Sequence, residues 1–588
     1  MRGREPFRVG IVLAGLLAVS CSGSDQVADA PEPELTALAA PSSEPAIELP
    51  VANAGDAPLK SDAQPSDVVD VADGEPLETQ PERIRGGTLR YGLEADVDGL
   101  NPTSSVLSAP GQVMANAIFD TLAAVAPDGT IVPYLAESWE PIDGDLMTWQ
   151  VTLRQGITFH DGTPFDAAAV QAGFQAQFDS PLIGFGLRPF YPAENATEVI
   201  DEFTIRYHLL DPNAQFPATL STQGGYIASP TWLAAALVDP VLNQAPVGTG
   251  PFKIESRVVD SVTRVVRNDE WWGGDVYLDA IEFLPISDPD TRTDLLNSGD
   301  LQAIQTTNPA SIIDLKADDD ITNVVDTSGE ESFVMLNASR PPFDDLRARQ
   351  ALTLATPLQA YRDLVALGVA PDANQMFTRD SPFYAPDIVQ AGDDPDAATP
   401  LVADYCADVP DQCSGGKIDV ELQWFGPAVI TTRTAEILDQ GWGNHFNVAF
   451  DELVQDTHIQ EIALGQYDAA IWRQFGAVDP SIDRLFLICR TIDVISLNFA
   501  RYCTDERDVL IAEAQATTDE ARRVELWQEI ARQMNAAATY VFLDHTAWNN
   551  AFRAEVQGVC NRTSPDGTPL RCSITGATWF DSVWFNQG

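Results

Sequence analysis

Lysine is nearly missing from this chain: its 588 residues contain four, Lys60, Lys253, Lys316 and Lys417. With 34 basic side chains against 87 acidic ones, the formal net charge is −53. Such a field repels phosphate backbones and anionic headgroups, so nucleic acid is excluded as a partner; an acidic, lysine-poor surface suits saline surroundings. Histidine is scarce too, and the five, His160, His208, His445, His458 and His545, show no His-x-x-x-His spacing. No Cys-x-x-Cys, Gly-x-Ser-x-Gly or His-Glu-x-x-His occurs, which removes the usual zinc site, nucleophile elbow and metalloprotease helix. No metal, no cofactor and no catalytic residue is therefore expected. His160 and Asp161 adjoin, but shaping a turn fits them better than acid–base work. Gly248-Thr249-Gly250 lacks the third glycine and the Lys-Ser/Thr ending that phosphate loops need.

Long apolar runs are also missing, apart from residues 9–20, which follow Arg2, Arg4 and Arg8 and end just before Cys21. The run is shorter than the roughly 20 residues of a spanning helix and reads as the core of a secretory signal peptide, residues 1–20. The mature chain is thus expected outside the cytoplasm. Residues Ala18-Val19-Ser20-Cys21 resemble the bacterial lipobox, with Ala18 where leucine is usual, which implies lipidation of Cys21. Residues 22–85 contain no aromatic side chain, are rich in Ala, Pro, Asp, Glu and Ser, and read as a disordered spacer. We therefore expect residues 21–85 to be a lipid-anchored linker. The spacer carries −11 and the signal segment +2, leaving −44 on the remainder, so the acidity belongs to the folded body.

If Cys21 is lipidated, six cysteines remain, in neighbouring couples: Cys406 with Cys413, Cys489 with Cys503, and Cys560 with Cys572. An even set in an oxidising compartment points to disulfides. The local pairings are favoured, although sequence leaves about 15 connectivities open.

Folded patterning begins after Gly86-Gly87, where residues 88–93 suit a strand. Residues 148–154 alternate polar and apolar, a half-buried strand, and the run Asp161-Gly162-Thr163-Pro164 breaks it. A helix then starts at Asp166 as N-cap, with Phe165 packing on Val170 and with Phe174 and Phe178 along the same face. Alternation returns at 418–424, ahead of a helix over 432–442. Thr517-x-x-Glu520 reads as a capping box for a helix carrying Val524, Trp527, Ile530 and Met534 on one side. At this length, alternating strands and helices predict an α/β chain of at least two lobes.

Several blocks resemble one family, the extracellular solute-binding proteins of the oligopeptide, dipeptide and nickel type (family 5) that serve ABC importers. They are Gly86-Gly87-Thr88-Leu89, Asp98-Gly99-Leu100-Asn101-Pro102, the run from Ile131 to Glu140 (IVPYLAESWE), and the run from Leu153 to Phe165 (LRQGITFHDGTPF). Pro246-Val247-Gly248-Thr249-Gly250-Pro251-Phe252, Arg267-Asn268 with Trp271-Trp272-Gly273-Gly274, and the run from Pro342 to Ala351 follow in the family's order. Ala521-Arg522-Arg523 in a helix and a strand over 540–544 match its ending, so the likeness spans residues 86–545.

That resemblance implies a two-lobed periplasmic-binding-protein-like fold of the large peptide-binding type (type II), with a ligand cleft between the lobes. Lobe I would hold residues 86–330 plus a C-terminal return, 546–588; lobe II would hold 331–545. It implies a substrate-binding lipoprotein on the outer side of the bacterial cell membrane, held through its lipid alone. The protein would capture a peptide or other small solute and deliver it to ABC permease subunits. The alternatives are a ligand sensor of the same fold and a secreted hydrolase. The site would come from loops at the lobes' inner edges. Peptide-binding members commonly place an aspartate three residues before the acidic residue of an acidic-Pro pair, here Asp479-Pro480, to meet a free amine; this chain has Gly476. The expected ligand contacts are Trp424, Phe425, Arg473, Phe475 and Asp479 from lobe II and, from the loop over 222–226, Gln223 and Tyr226 of lobe I. An Arg with aromatic neighbours suits a carboxylate, phosphate or planar group, since it offers a bidentate fork and stacks on rings.

Overall fold

The strand expected over 88–93 forms as Thr88–Leu93. In the computed structural model, which describes residues 83–586 apart from 143 and 427, it lies between Ala280–Pro285 and Ala303–Thr306, parallel to both. Ile321–Asp326 and Trp548–Arg553 extend the sheet on one side, Val262–Arg267 and Phe252–Val258 on the other, making seven strands. Tyr91 points into its core among Phe283, Phe552 and Phe580, with ring centroids 5.7–6.1 Å away, and its hydroxyl donates to Asn550. The expected signal peptide, Cys21 and the expected spacer up to residue 82 lie outside the described residues.

A four-stranded antiparallel sheet, Ala136–Pro141, Thr148–Leu153, Thr204–His208 and Thr197–Asp201, packs under the helix Ala167–Asp179. That helix starts where the sequence places it. The Asp166 carboxylate accepts the Ala169 amide at 2.8 Å, and Phe165, Val170, Phe174 and Phe178 share one buried cluster. His160 and Asp161 are tied into the turn: the imidazole meets the Gly250 carbonyl at 2.9 Å, while Asp161 accepts the Ser229 hydroxyl at 2.6 Å. Gly250 donates its amide to the Ile118 carbonyl, and a Cβ there would sit 2.5 Å from Ile118 carbon. The Gly-Thr-Gly block is thus a close approach of two backbones. Three donors converge on one buried oxygen of Asp120: the Thr249 hydroxyl (3.1 Å) and the indoles of Trp271 (3.2 Å) and Trp272 (2.7 Å). Burial pushes this carboxyl up; the two indoles, Arg562 and the hydroxyl hold it back.

The second large sheet has six strands: Cys413–Ser414, Lys417–Phe425, Ala469–Gln474, Glu331–Leu336 and Tyr540–His545 in order, with Phe446–Leu453 beside Lys417–Phe425. The helix expected over 432–442 runs Val429–Trp442; the Thr431 hydroxyl ties its first turn back to the Phe425 and Ala428 carbonyls. The capping box is displaced. Helix Glu520–Ala537 is capped by Asp519, which accepts the Ala521 and Arg522 amides, whereas Thr517 closes the preceding helix Asp505–Ala516 and accepts the Asp519 amide. An aspartate next to the first helical residue outcompetes a threonine two residues further back. Trp527, Ile530 and Met534 are buried as expected, and Val524 is half-buried.

Two short crossings join the sheets: residues 327–330 run from Ile321–Asp326 into Glu331–Leu336, and residues 546–547 return from Tyr540–His545 into Trp548–Arg553. They lie side by side. The Thr546 amide donates to the Glu330 carbonyl (2.8 Å), the Ser332 and Thr546 hydroxyls meet at 3.1 Å, and the Trp548 indole donates to the Glu330 carboxylate at 3.0 Å. The three local cysteine couples are disulfides, with Cα separations of 5.7, 5.2 and 4.8 Å for Cys406–Cys413, Cys489–Cys503 and Cys560–Cys572. Among the described residues no helix is long and apolar enough to cross a membrane.

Candidate functional site

A cavity of about 540 Å³ opens beside the first crossing, within the range of small-molecule sites. Its walls come from distant parts of the chain: the turn 128–131, Trp139, residues 214–218, the crossing itself, the loop 376–383, the segment 475–483, the first turn of helix Glu520–Ala537, and residues 571–575.

Strand Ala469–Gln474 ends by turning sharply, with Phe475 at φ +68°, a left-handed backbone uncommon for a bulky side chain. Packing holds it there: the ring lies 5.2–6.3 Å from Tyr540, Phe333 and Phe486. Gly476 follows against the crossing, where a Cβ would meet Glu330 Cγ and Thr575 Cγ2, each at 2.8 Å. The position that lacks the amine-binding aspartate therefore has no room for any side chain in this arrangement. Asp479 caps helix Pro480–Asp483 by accepting the Ser481 amide (2.9 Å) and also receives Arg523 on both oxygens, at 2.6 and 2.7 Å. The Arg523 guanidinium lies 5.0 Å over the Phe383 ring.

Arg571 reaches Asp326 at 3.5 Å, and the other Asp326 oxygen accepts the Thr575 amide at 2.9 Å. Asp483 lines the cavity yet is only 4% exposed. Burial pushes its carboxyl up to about 8; the Ala477 amide pulls it back and the Asp479 charge raises it further. Beneath it, Glu331 and His545 share a buried hydrogen bond at 3.0 Å. Burial drives Glu331 well above the ordinary carboxylate range and holds His545 down to about 4, so the imidazole is neutral at pH 7.

Of the seven ligand contacts expected from sequence, Phe475 and Asp479 line this cavity and the other five lie outside its lining. Trp424 is buried edge-on to Phe450, ring centroids 5.1 Å apart, and Phe425 ends the same strand. Arg473 stands 5.3 Å over the Trp548 ring at the crossing. Gln223 donates to the Pro102 and Ser105 carbonyls and accepts the Leu107 amide, and buried Tyr226 donates to Asn116 at 2.6 Å.

Sequence reasoning passed over Arg523, Asp483, Asp326 and Arg571 as site residues. A signal existed for the first: Arg523 falls on the same helical face as Trp527, Ile530 and Met534, and an arginine on an apolar stripe must find a buried partner. No comparable signal marks the others, which reach the cavity only through tertiary structure.

The family model for bacterial extracellular solute-binding proteins, family 5, matches residues 130–480. The di/tripeptide-binding protein 2 of Pseudomonas aeruginosa is 26% identical over 81% of this chain and 93% of its own length. The dipeptide-binding protein of Escherichia coli is 24% identical over 81% and 92%. Among solved structures, the periplasmic binding protein DppA of Helicobacter pylori, in complex with peptide STSA, superposes with a TM-score of 0.75 at 21% identity, covering 86% of this chain and 99% of its own.

Proposed function

The chain belongs to family 5 of the bacterial extracellular solute-binding proteins, and on that premise we propose that the 540 Å³ cavity beside the crossing holds the solute it hands to an ABC permease. The carrying observation is the cavity's position. It takes walls from segments of both large sheets and borders the connection between them, so a molecule lodged there gains contacts only while the lobes are together. Differential affinity of this kind is what lets a ligand favour the closed form. Residues 86–330 with the return 546–588 form lobe I, and 331–545 form lobe II. The protein binds its solute and catalyses nothing. Because the relatives bind di- and tripeptides by name, a short peptide is the first ligand class to try, although Gly476 removes the usual amine anchor. The exported chain is anchored by a lipid on Cys21, with residues 21–85 as its tether.

Native mass spectrometry of protein purified without refolding tests the binding site. A small adduct is expected on the wild type and should vanish in Thr378→Trp, whose indole would fill the cavity from a half-buried lining position. An adduct retained equally by both would place the solute elsewhere. For the anchor, Cys21→Ala or globomycin should move the protein from membrane to soluble fraction; unchanged partition counts against it.

A further inference from the structure

The charges around the cavity do not cancel. Arg523 is taken by Asp479 and Arg571 by Asp326, so both basic groups of the lining are already matched. Asp128, Asp483 and Glu520 also line it, and none forms an ion pair among the described residues. Asp128 and Glu520 are exposed, where water screens them. Asp483 is different: more than nine-tenths buried, it faces the cavity with the Ala477 amide as its donor and like-signed Asp479 as its neighbour. The remaining lining includes Trp139, Phe377, Phe383 and Phe475, and aromatic rings favour cations over anions at close range.

We propose that the solute carries a net positive charge, with an amine other than a peptide's own α-amine, a quaternary ammonium or a guanidinium group seated on Asp483 among these rings. The inference rests on the cavity being the binding site. An anion would meet Asp128 and Glu520 and no free base, and a wholly neutral solute would gain nothing from the carboxylate that Asp483 can present. Chemistry follows from the protonation state. Asp483 is mostly protonated at pH 7, and a cation favours the ionised form, so binding expels the carboxyl proton to the buffer. The groups packed around it are the ion pair of Asp479 with Arg523 on one side and the buried hydrogen-bonded pair of Glu331 with His545 on the other, and among these acids only Asp483 lines the cavity without an ion pair. Affinity therefore rises with pH and levels off above about 8.

The full chain is incubated at pH 8 with an equimolar mixture of Ala-Arg-Ala, Ala-Leu-Ala, Ala-Glu-Ala, spermidine and choline, and retained compounds are weighed by mass spectrometry after ultrafiltration. One or more of Ala-Arg-Ala, spermidine and choline should be enriched at least tenfold over Ala-Leu-Ala and Ala-Glu-Ala. Calorimetry of the enriched compound in two buffers of different ionisation enthalpy should report release of close to one proton at pH 7. Its affinity should fall by about fivefold between pH 8 and pH 7 and approach about tenfold for each further unit. Asp483→Asn, isosteric with the neutral acid, should weaken binding at pH 8 by tenfold or more and remove the pH dependence, whereas Asp290→Asn, at an exposed acid outside the lining, should change affinity less than threefold. Preferential retention of Ala-Leu-Ala or Ala-Glu-Ala would overturn the cation inference while leaving solute binding intact. Retention of none of the five, or cation binding without proton release, would overturn it as well.

Discussion

Replacing Arg523 by alanine isolates what its ion pair contributes. The two side chains are 4% and 14% exposed, and Arg523 touches both Asp479 oxygens at 2.6 and 2.7 Å; solvent screening does little at such burial. Removing one partner of a buried pair costs about 3–5 kcal/mol, because the other charge stays behind without compensation. Loss of the cation from the Phe383 face adds about 0.5–1 kcal/mol. The Ser481 amide remains on Asp479 and offsets a small part. A double variant, Arg523→Leu with Asp479→Asn, removes both charges and keeps a side-chain oxygen to cap Pro480–Asp483. It should lose no more than about 1–2 kcal/mol, since hydrophobic replacement of whole buried pairs is often near neutral. The assay is urea unfolding at pH 7 in dialysed, solute-free protein, so that ligand linkage does not contribute, with tryptophan fluorescence as readout. A single variant within about 1 kcal/mol of wild type, or a double variant as damaged as the single, would refute the reasoning.

Four other outcomes follow from the same contacts. Gly476→Asp should not create an amine anchor: its Cβ would strike Glu330 and Thr575 at 2.8 Å, so small-angle scattering in the presence of solute should show a wider mean lobe separation than wild type. Asp120→Ala strands the two indoles and the Thr249 hydroxyl, and should cost about 3 kcal/mol or more by denaturation at about 1–3 kcal/mol per unmet donor. His458, 1% exposed against Trp472, is held by burial down to about 4. Because its folded value is depressed, its contribution is intact above pH 6.5 and is lost as the unfolded chain takes up protons towards pH 4, at up to about 1.4 kcal/mol per unit; His458→Gln should flatten that part of the stability profile. Opening the 14-residue Cys489–Cys503 loop with the double Ser variant should cost about 3 kcal/mol, read as a lowered denaturation midpoint.

Elements with strong local signals were legible. Strand Thr88–Leu93, the Asp166 cap and the apolar face of Glu520–Ala537 all follow from spacing within a dozen residues. The local cysteine couples were equally plain. Thr517 misled because a threonine and a glutamate at capping-box spacing say nothing about the aspartate between them. The cavity was harder. Phe475 and Asp479 adjoin a recognisable Asp-Pro pair, whereas Asp326, Arg523 and Arg571 enter from three separate segments, and only the packing of both sheets brings them to one wall. Trp424 and Arg473 stand near the ends of strands that pair in parallel through Leu422 and Gln423, and of the two loops that follow only the one after Gln474 enters the cavity.

The position of Thr88–Leu93 has a mechanical consequence. The chain enters the folded body at residues 83–87, where the Gly86 amide is held by the Tyr277 carbonyl, and passes directly into the central strand. That strand is hydrogen-bonded on both flanks, with register running from Thr88 beside Ala280 to Leu93 beside Pro285. A pull on the N-terminal segment acts along the strand axis and loads these bonds together in shear, whereas a strand at the sheet's edge pulled sideways would release them one at a time. Tension is thereby delivered to the central strand of the seven-stranded sheet, away from the crossings at 327–330 and 546–547 that lead into the other sheet.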